Sequence, residues 1–141
     1  MRLFTAHPNT LLACWRAFSD TNADNGGLCV APGSHRQGLF ATGRVREADQ
    51  HASWEKDYEM SGPDGEVWTE PMHSHDIHAF TRDRVRMLDV PRGGGVFFTS
   101  LTVHGSYANR SPDRPRLAFA THYVREGTWV YRRDLQGMVP A

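Results

Sequence analysis

Apolar residues occur along this chain in short bursts separated by polar stretches rich in glycine and proline. None of the bursts is long or periodic enough for a convincing helix. Residues 10–18, Thr-Leu-Leu-Ala-Cys-Trp-Arg-Ala-Phe, give way at once to a polar run ending in Gly26-Gly27, which predicts a buried strand entering a turn. Residues 28–31 are a second apolar run. The Asn25-Gly26 pair between the two runs supplies the positive backbone angles of a tight connection, so a hairpin joining them is expected. Residues 42–71 are charged and dotted with Gly43, Gly62-Pro63 and Gly65, and read as an excursion over the surface with a helical turn or two within 48–60.

Beyond Val85 the pattern sharpens. Val85, Met87, Leu88 and Val90 alternate imperfectly before Pro91, and Gly93-Gly94-Gly95 precedes the strongest β segment, residues 96–103, where aromatic and β-branched side chains dominate. A polar loop over 106–115 leads to a strand over 117–124 and a last short one over 128–132. Five or six strands at short spacing, with no fixed repeat, predict an all-β sandwich or barrel with a jelly-roll-like core. At 141 residues the expectation is a single domain spanning 1–141.

Charge narrows the function classes. Sixteen basic side chains balance sixteen acidic ones, so the chain has no electrostatic footprint for a phosphate backbone or an anionic bilayer. Neither nucleic acid nor membrane is expected as a partner. The first residues offer no continuous apolar stretch for a signal peptide or a membrane span. Cys14 and Cys29 lack a CxxC or zinc-ribbon spacing and read as small hydrophobes of a reduced, cytoplasmic protein.

The strongest chemical constellation is His104-Gly105-Ser106, followed by Asn109 and then by Arg114 and Arg116 at the entry to the next strand. A neutral imidazole is a good iron(II) ligand, and the planar fork of arginine matches a carboxylate. If the strands on either side of the 106–115 loop are antiparallel neighbours, His104 and Arg116 can line one cavity. On residues alone, a lone histidine at a strand end is more often structural than a ligand, and Arg110, Arg114 and Arg116 would form a solvated basic turn.

The order and spacing of Trp15, Pro32-Gly33-Ser34-His35, His104-Gly105-Ser106-x-x-Asn109 and Pro115-Arg116 changes that balance. Over most of its length the chain resembles the phytanoyl-CoA dioxygenase family of iron(II)- and 2-oxoglutarate-dependent oxygenases. The resemblance implies an N-terminally truncated double-stranded β-helix, and a hydroxylase acting on a small-molecule substrate with dioxygen. It makes His104 the distal histidine of a 2-His-1-carboxylate iron site. Arg116 becomes the partner of the distal carboxylate of 2-oxoglutarate, Ser106 a helper at the same carboxylate and Trp15 a wall of the pocket. The interval from His104 to Arg116 is one residue longer than is common in the family, because of Pro112-Asp113, so Arg114 rivals Arg116. The Pro-Gly-Ser-His turn is read as structural, with His35 making local hydrogen bonds.

The family's His-x-Asp ligand pair falls somewhat under twenty residues before the matched tryptophan, and only fourteen residues precede Trp15. The pair is therefore expected just upstream of residue 1, leaving a chain that is inactive alone and open to oligomerisation through an exposed sheet edge. His7-Pro8-Asn9 has the spacing but an amide for the carboxylate. The segment His73-Ser74-His75-Asp76-Ile77-His78 can offer a zinc or nickel site through His73, His75 and His78, though a solvent-facing segment is the plainer reading. His51 and His122 are read as structural. Two other functions stay open: a binding domain that kept the sandwich and lost the metal, and a metal-binding module built on the His73 to His78 cluster.

Overall fold

A computed structural model describes residues 6–41, 43–44, 55–73, 75–77 and 82–137, and these are all β structure and loops with three short 3-10 turns and no α-helix. The strands are β1 (Ala6–His7), β2 (Leu12–Ala17), β3 (Leu28–Val30), β4 (Gly43–Arg44), β5 (Glu55–Ser61) and β6 (Val67–His73). They continue with β7 (His75–Asp76), β8 (Arg86–Met87), β9 (Gly95–Thr99), β10 (His104–Ser106), β11 (Ala118–Tyr123) and β12 (Trp129–Val130). The expected all-β class holds.

Two three-stranded antiparallel sheets carry the core, one in the order β11-β2-β9 and the other β10-β3-β8. Alternation along β2 turns Ala13, Trp15 and Ala17 inward, where all three are buried. Trp15 stands in register with Ala120 of β11 and Val96 of β9, so the inward face runs across all three strands. Trp15, Ala17, Leu28 and Val90 form the core cluster, and Val30, Leu88, Val96 and Phe98 pack on it from both sheets. The two sheets therefore face one another across a shared apolar layer.

The hairpin expected between residues 10–18 and 28–31 does not form, because β2 and β3 belong to different sheets. The loop between them is organised on itself. The Asn25 carboxamide accepts from Asn22 N at 2.8 Å and donates to the Asp20 carbonyl at 2.8 Å, while Gly27 N donates to the Asn22 carbonyl at 2.7 Å. Gly26 sits at φ 78°, and a Cβ there would lie 2.8 Å from the Tyr107 carbonyl oxygen, so only glycine fits. Asn25-Gly26 thus makes a crossover between sheets.

The single strand expected over 96–103 is likewise two. β9 ends at Thr99, Thr102 N donates to the Thr99 carbonyl at 3.0 Å, and the chain re-emerges as β10 in the opposite sheet. Ser34, fully buried, is the residue that fixes this passage: its Oγ accepts from Val103 N at 2.9 Å. The structural work of the Pro-Gly-Ser-His turn falls to Ser34, and His35 is exposed.

The surface excursion is also more ordered than its composition suggests. β5 and β6 pair over seven residues each, and the helical turn expected within 48–60 is replaced by strand from Glu55 onward, while residues 48–54 lie outside the described set. Gly62-Pro63-Asp64-Gly65 closes the hairpin, with Gly65 at φ 82°. Met60 and Ser61 anchor it: Met60 is buried, Ser61 N donates to the Tyr131 carbonyl at 2.8 Å, and Trp129 Nε1 donates to the Ser61 carbonyl at 2.8 Å.

Candidate functional site

His104 opens β10, in register with Val30, and Ser106 is in register with Leu28. Val30 and Leu28 belong to the core layer, so alternation places His104 and Ser106 on the face that their sheet turns toward the other. The Phe98 ring, from β9, meets the imidazole at a centroid distance of 4.4 Å and fixes its plane from across the layer. Position in the strand decides its exposure: β10 is the edge of its sheet among the described residues, and His104 remains open to solvent.

The tautomer of His104 follows from one hydrogen bond. Nδ1 lies 2.9 Å from the Thr102 carbonyl oxygen, which can only accept, so in the neutral ring Nδ1 carries the proton and Nε2 the lone pair. A backbone carbonyl holding the second ring nitrogen is the usual support of a metal-ligating histidine.

Arg116 lies just before β11. It is exposed, two residues before the first registered pair, Ala118 with Ala17. Ser19 holds the backbone on either side of it: its hydroxyl donates to the Pro115 carbonyl at 3.0 Å and accepts from Leu117 N at 3.0 Å. The Arg116 guanidinium has no hydrogen bond or ion pair among the described residues. Arg114 is committed elsewhere, with Nη2 3.4 Å from Asp24 Oδ2 and Nε 3.3 Å from Ser111 Oγ. Asn109 restrains the same loop, donating through Nδ2 to the Arg114 carbonyl at 2.9 Å.

The strands that carry them are therefore not neighbours in one sheet, as the sequence suggested: His104 opens β10, the edge of one core sheet, and Arg116 precedes β11, the edge of the other. Among the described residues no hydrogen bond or ion pair joins them. Trp15 is a buried member of the core cluster on the inward side. Two further polar residues share the inward faces: Arg86 of β8, not singled out from sequence, is in register with Val30, and His122 of β11, read there as structural, with Ala13; strand alternation is the signal that places both.

The other candidates fall away or lie out of reach. His7 is exposed in β1, paired with Trp129, and Asn9 Oδ1 accepts from the Ser100 hydroxyl at 2.7 Å. His73 ends β6, while His51 and His78 and the side chain of His75 lie outside the described residues. Among the described residues no group of three His, Cys, Asp or Glu side chains can hold a metal ion. Cys29 is buried and Cys14 partly so; burial pushes the Cys29 thiol above its ordinary value, as expected of a small hydrophobe. No helix among the described residues is long and apolar enough to cross a membrane.

The phytanoyl-CoA dioxygenase family model matches residues 1–118. Among curated proteins, the chain is 33% identical over 112 residues to the ectoine dioxygenase of Halomonas elongata, covering 79% of this chain and 31% of that protein. It is 30% identical over 125 residues to the peroxisomal phytanoyl-CoA dioxygenase of Rattus norvegicus, covering 87% of this chain and 31% of the relative. The chain thus spans about a third of the length of the curated relatives it matches. With a family match across most of its residues, the chain belongs to the phytanoyl-CoA dioxygenase family.

Proposed function

We propose that this chain forms the distal half of an iron(II)- and 2-oxoglutarate-dependent oxygenase site that hydroxylates a small molecule. The observation that carries the reading is an imidazole at His104 whose Nδ1 is held by the Thr102 carbonyl, on the inward face of one core sheet, together with an uncommitted guanidinium at Arg116, at the entry to the edge strand of the other. The alternation of β8 to β11 between the sheets supports a double-stranded β-helix as the architecture.

In this reading His104 Nε2 is one iron ligand, with the other two supplied from outside the described residues. Arg116 grips the distal carboxylate of 2-oxoglutarate through its fork of N–H donors, and Ser106, on the same face as His104, adds a hydroxyl donor. Iron(II) supplies the activation of dioxygen that no side chain can provide. One oxygen atom enters the substrate C–H bond and the other enters succinate as carbon dioxide leaves.

The test is succinate release in the longest native polypeptide containing residues 1–141, supplied with iron(II), 2-oxoglutarate and oxygen. His104→Ala should abolish both succinate release and tight iron(II) binding measured anaerobically. Unchanged iron affinity in that variant would leave His104 structural and favour a sandwich that binds without a metal.

A further inference from the structure

The peptide group that links Thr102 to Val103 is gripped at both ends. A peptide group is planar, so its C=O and N–H point to opposite sides and can only turn together. The Thr102 carbonyl accepts from His104 Nδ1 at 2.9 Å, and the N–H at the other end of the same plane, on Val103, donates to Ser34 Oγ at 2.9 Å. Ser34 is fully buried, whereas His104 is open to solvent. A hydroxyl in the interior thus holds the plane whose far end holds the exposed imidazole.

The turn at residues 31–34 makes that grip firm. Ser34 N donates to the Ala31 carbonyl at 3.2 Å, which fixes the backbone behind the hydroxyl, and Ala31 N donates to the Val103 carbonyl at 2.9 Å. Val103 is therefore held at both of its backbone polar groups, immediately before the first registered pair of β10, His104 with Val30. On the other side, the Thr99–Thr102 turn closes through Thr102 N and leaves the Thr102 carbonyl to the imidazole. The Phe98 ring, 4.4 Å away between centroids, restrains the imidazole plane but cannot select which nitrogen carries the proton. That selection falls to the carbonyl, and the direction of the carbonyl falls to Ser34. Hydrogen bonds in a chain polarise one another, so an acceptor at Val103 N–H also strengthens the Thr102 oxygen as an acceptor.

We infer that Ser34 is a positioning residue for His104: through the Thr102–Val103 peptide it fixes the orientation and tautomer of the imidazole and keeps the Nε2 lone pair available. Every group in this link lies within residues 31–104, so no further polypeptide is needed to complete it. Its consequence for iron rests on the oxygenase reading, in which such an outer support orients a metal-ligating histidine.

The test uses the longest native polypeptide containing residues 1–141, labelled with 15N at histidine, with the His104 signals identified as those lost in His104→Ala. In the metal-free protein, at a pH above the ordinary imidazole value, the nitrogen shifts report which ring nitrogen carries the proton. The parent should show Nδ1–H. Ser34→Ala should raise the Nε2–H population several-fold, and Ser34→Cys, which keeps a weak acceptor in a similar volume, should fall between the two. Thr21→Val removes another buried hydroxyl, one that donates to the Val90 carbonyl at 3.3 Å and takes no part in the link, and should leave the tautomer unchanged. In anaerobic titration Ser34→Ala should weaken iron(II) binding roughly tenfold, and Thr21→Val should not. An unchanged tautomer in both Ser34 variants overturns the inference, as does an equal shift in Thr21→Val, or full iron affinity in Ser34→Ala where His104→Ala has lost it. Unchanged iron affinity in His104→Ala sinks the oxygenase reading instead, and the tautomer populations alone then decide the role of Ser34.

Discussion

The middle strands and the edge strands of the two core sheets present the same kind of inward face and meet opposite fates. On β2 and β3 the inward residues Ala13, Trp15, Ala17 and Leu28 are buried. On β11 and β10, one strand further out, Ala118, Ala120, His122 and His104 occupy the same faces by register and remain exposed. The register is continuous; only the cover differs. A polar side chain inward on β2 would need a buried partner or cost several kcal/mol, which explains why the middle strands carry alanine, tryptophan and leucine there. At the edges, water still reaches the inward face, so an imidazole can stand there without that penalty. Polar groups stand there at low cost; His104 lies on such an edge, and Arg116 precedes the other.

Substitution at the two positions should separate stability from chemistry. Trp15→Ala empties the middle of the core and is expected to cost about 3–5 kcal/mol in urea unfolding. His104→Ala removes a side chain from the open edge and should change unfolding by no more than about 0.5 kcal/mol. A large unfolding penalty for His104→Ala would mean that its bond to the Thr102 carbonyl and its contact with Phe98 hold the sheets together, and the contrast between middle and edge would collapse.

The second prediction sharpens the assignment at the open edge. In a polypeptide with its metal site complete, Arg116→Ala should weaken 2-oxoglutarate binding by roughly tenfold to a hundredfold, the worth of hydrogen bonds to a charged group. Arg114→Ala should change it little, because Arg114 is already engaged by Asp24 and Ser111. Calorimetric titration of the two variants reads this directly. The reverse order would mean that the longer loop had shifted the register and that the ion pair with Asp24 opens when the ligand arrives.

What could be read from the sequence follows the same divide between local and non-local physics. Strand composition placed residues 10–18, 117–124 and 128–132 well, since apolar and β-branched runs mark a strand regardless of its partner. Partnership is decided elsewhere. The Thr99–Thr102 turn contains no glycine or proline, so residues 96–103 read as one strand although the chain changes sheets there. Asn25-Gly26 carries a hairpin signature, yet the Asn25 side chain spends its hydrogen bonds on its own loop, and the pair becomes a crossover. β5 is rich in Glu, Lys and Asp and hides as a strand, although Gly62-Pro63-Asp64-Gly65 held the turn signal between it and β6. The order and spacing of motifs singled out His104 and Arg116 as candidates, while the position of their strands in opposite sheets could not be read, because it depends on the turn at Thr99–Thr102.

If the middle strands hold most of the stability, charged contacts remote from them should matter little, and the C-terminal turn offers the smallest and cleanest measure. Arg132 Nη2 lies 2.6 Å from Asp134 Oδ2, and its guanidinium also sits over the Tyr58 ring at 3.8 Å. The hydrogen bond from Arg132 holds the Asp134 carboxyl below the usual carboxylate range. A carboxylate whose pKa is depressed by folding adds stability that is present above its unfolded value near ~3.9 and is lost as pH falls through the folded value. Asp134 is half exposed, so solvent screens the pair and its worth should stay at or below about 1 kcal/mol. Thermal unfolding of the parent and of Asp134→Asn should therefore differ slightly in favour of the parent at neutral pH. The gap should close as pH is taken below the carboxylate range and should shrink in high salt. A gap as large as that for Trp15→Ala would show that the turn at Arg133–Leu135, and the β5–β6 hairpin it packs against, bear on the fold as heavily as the middle strands do.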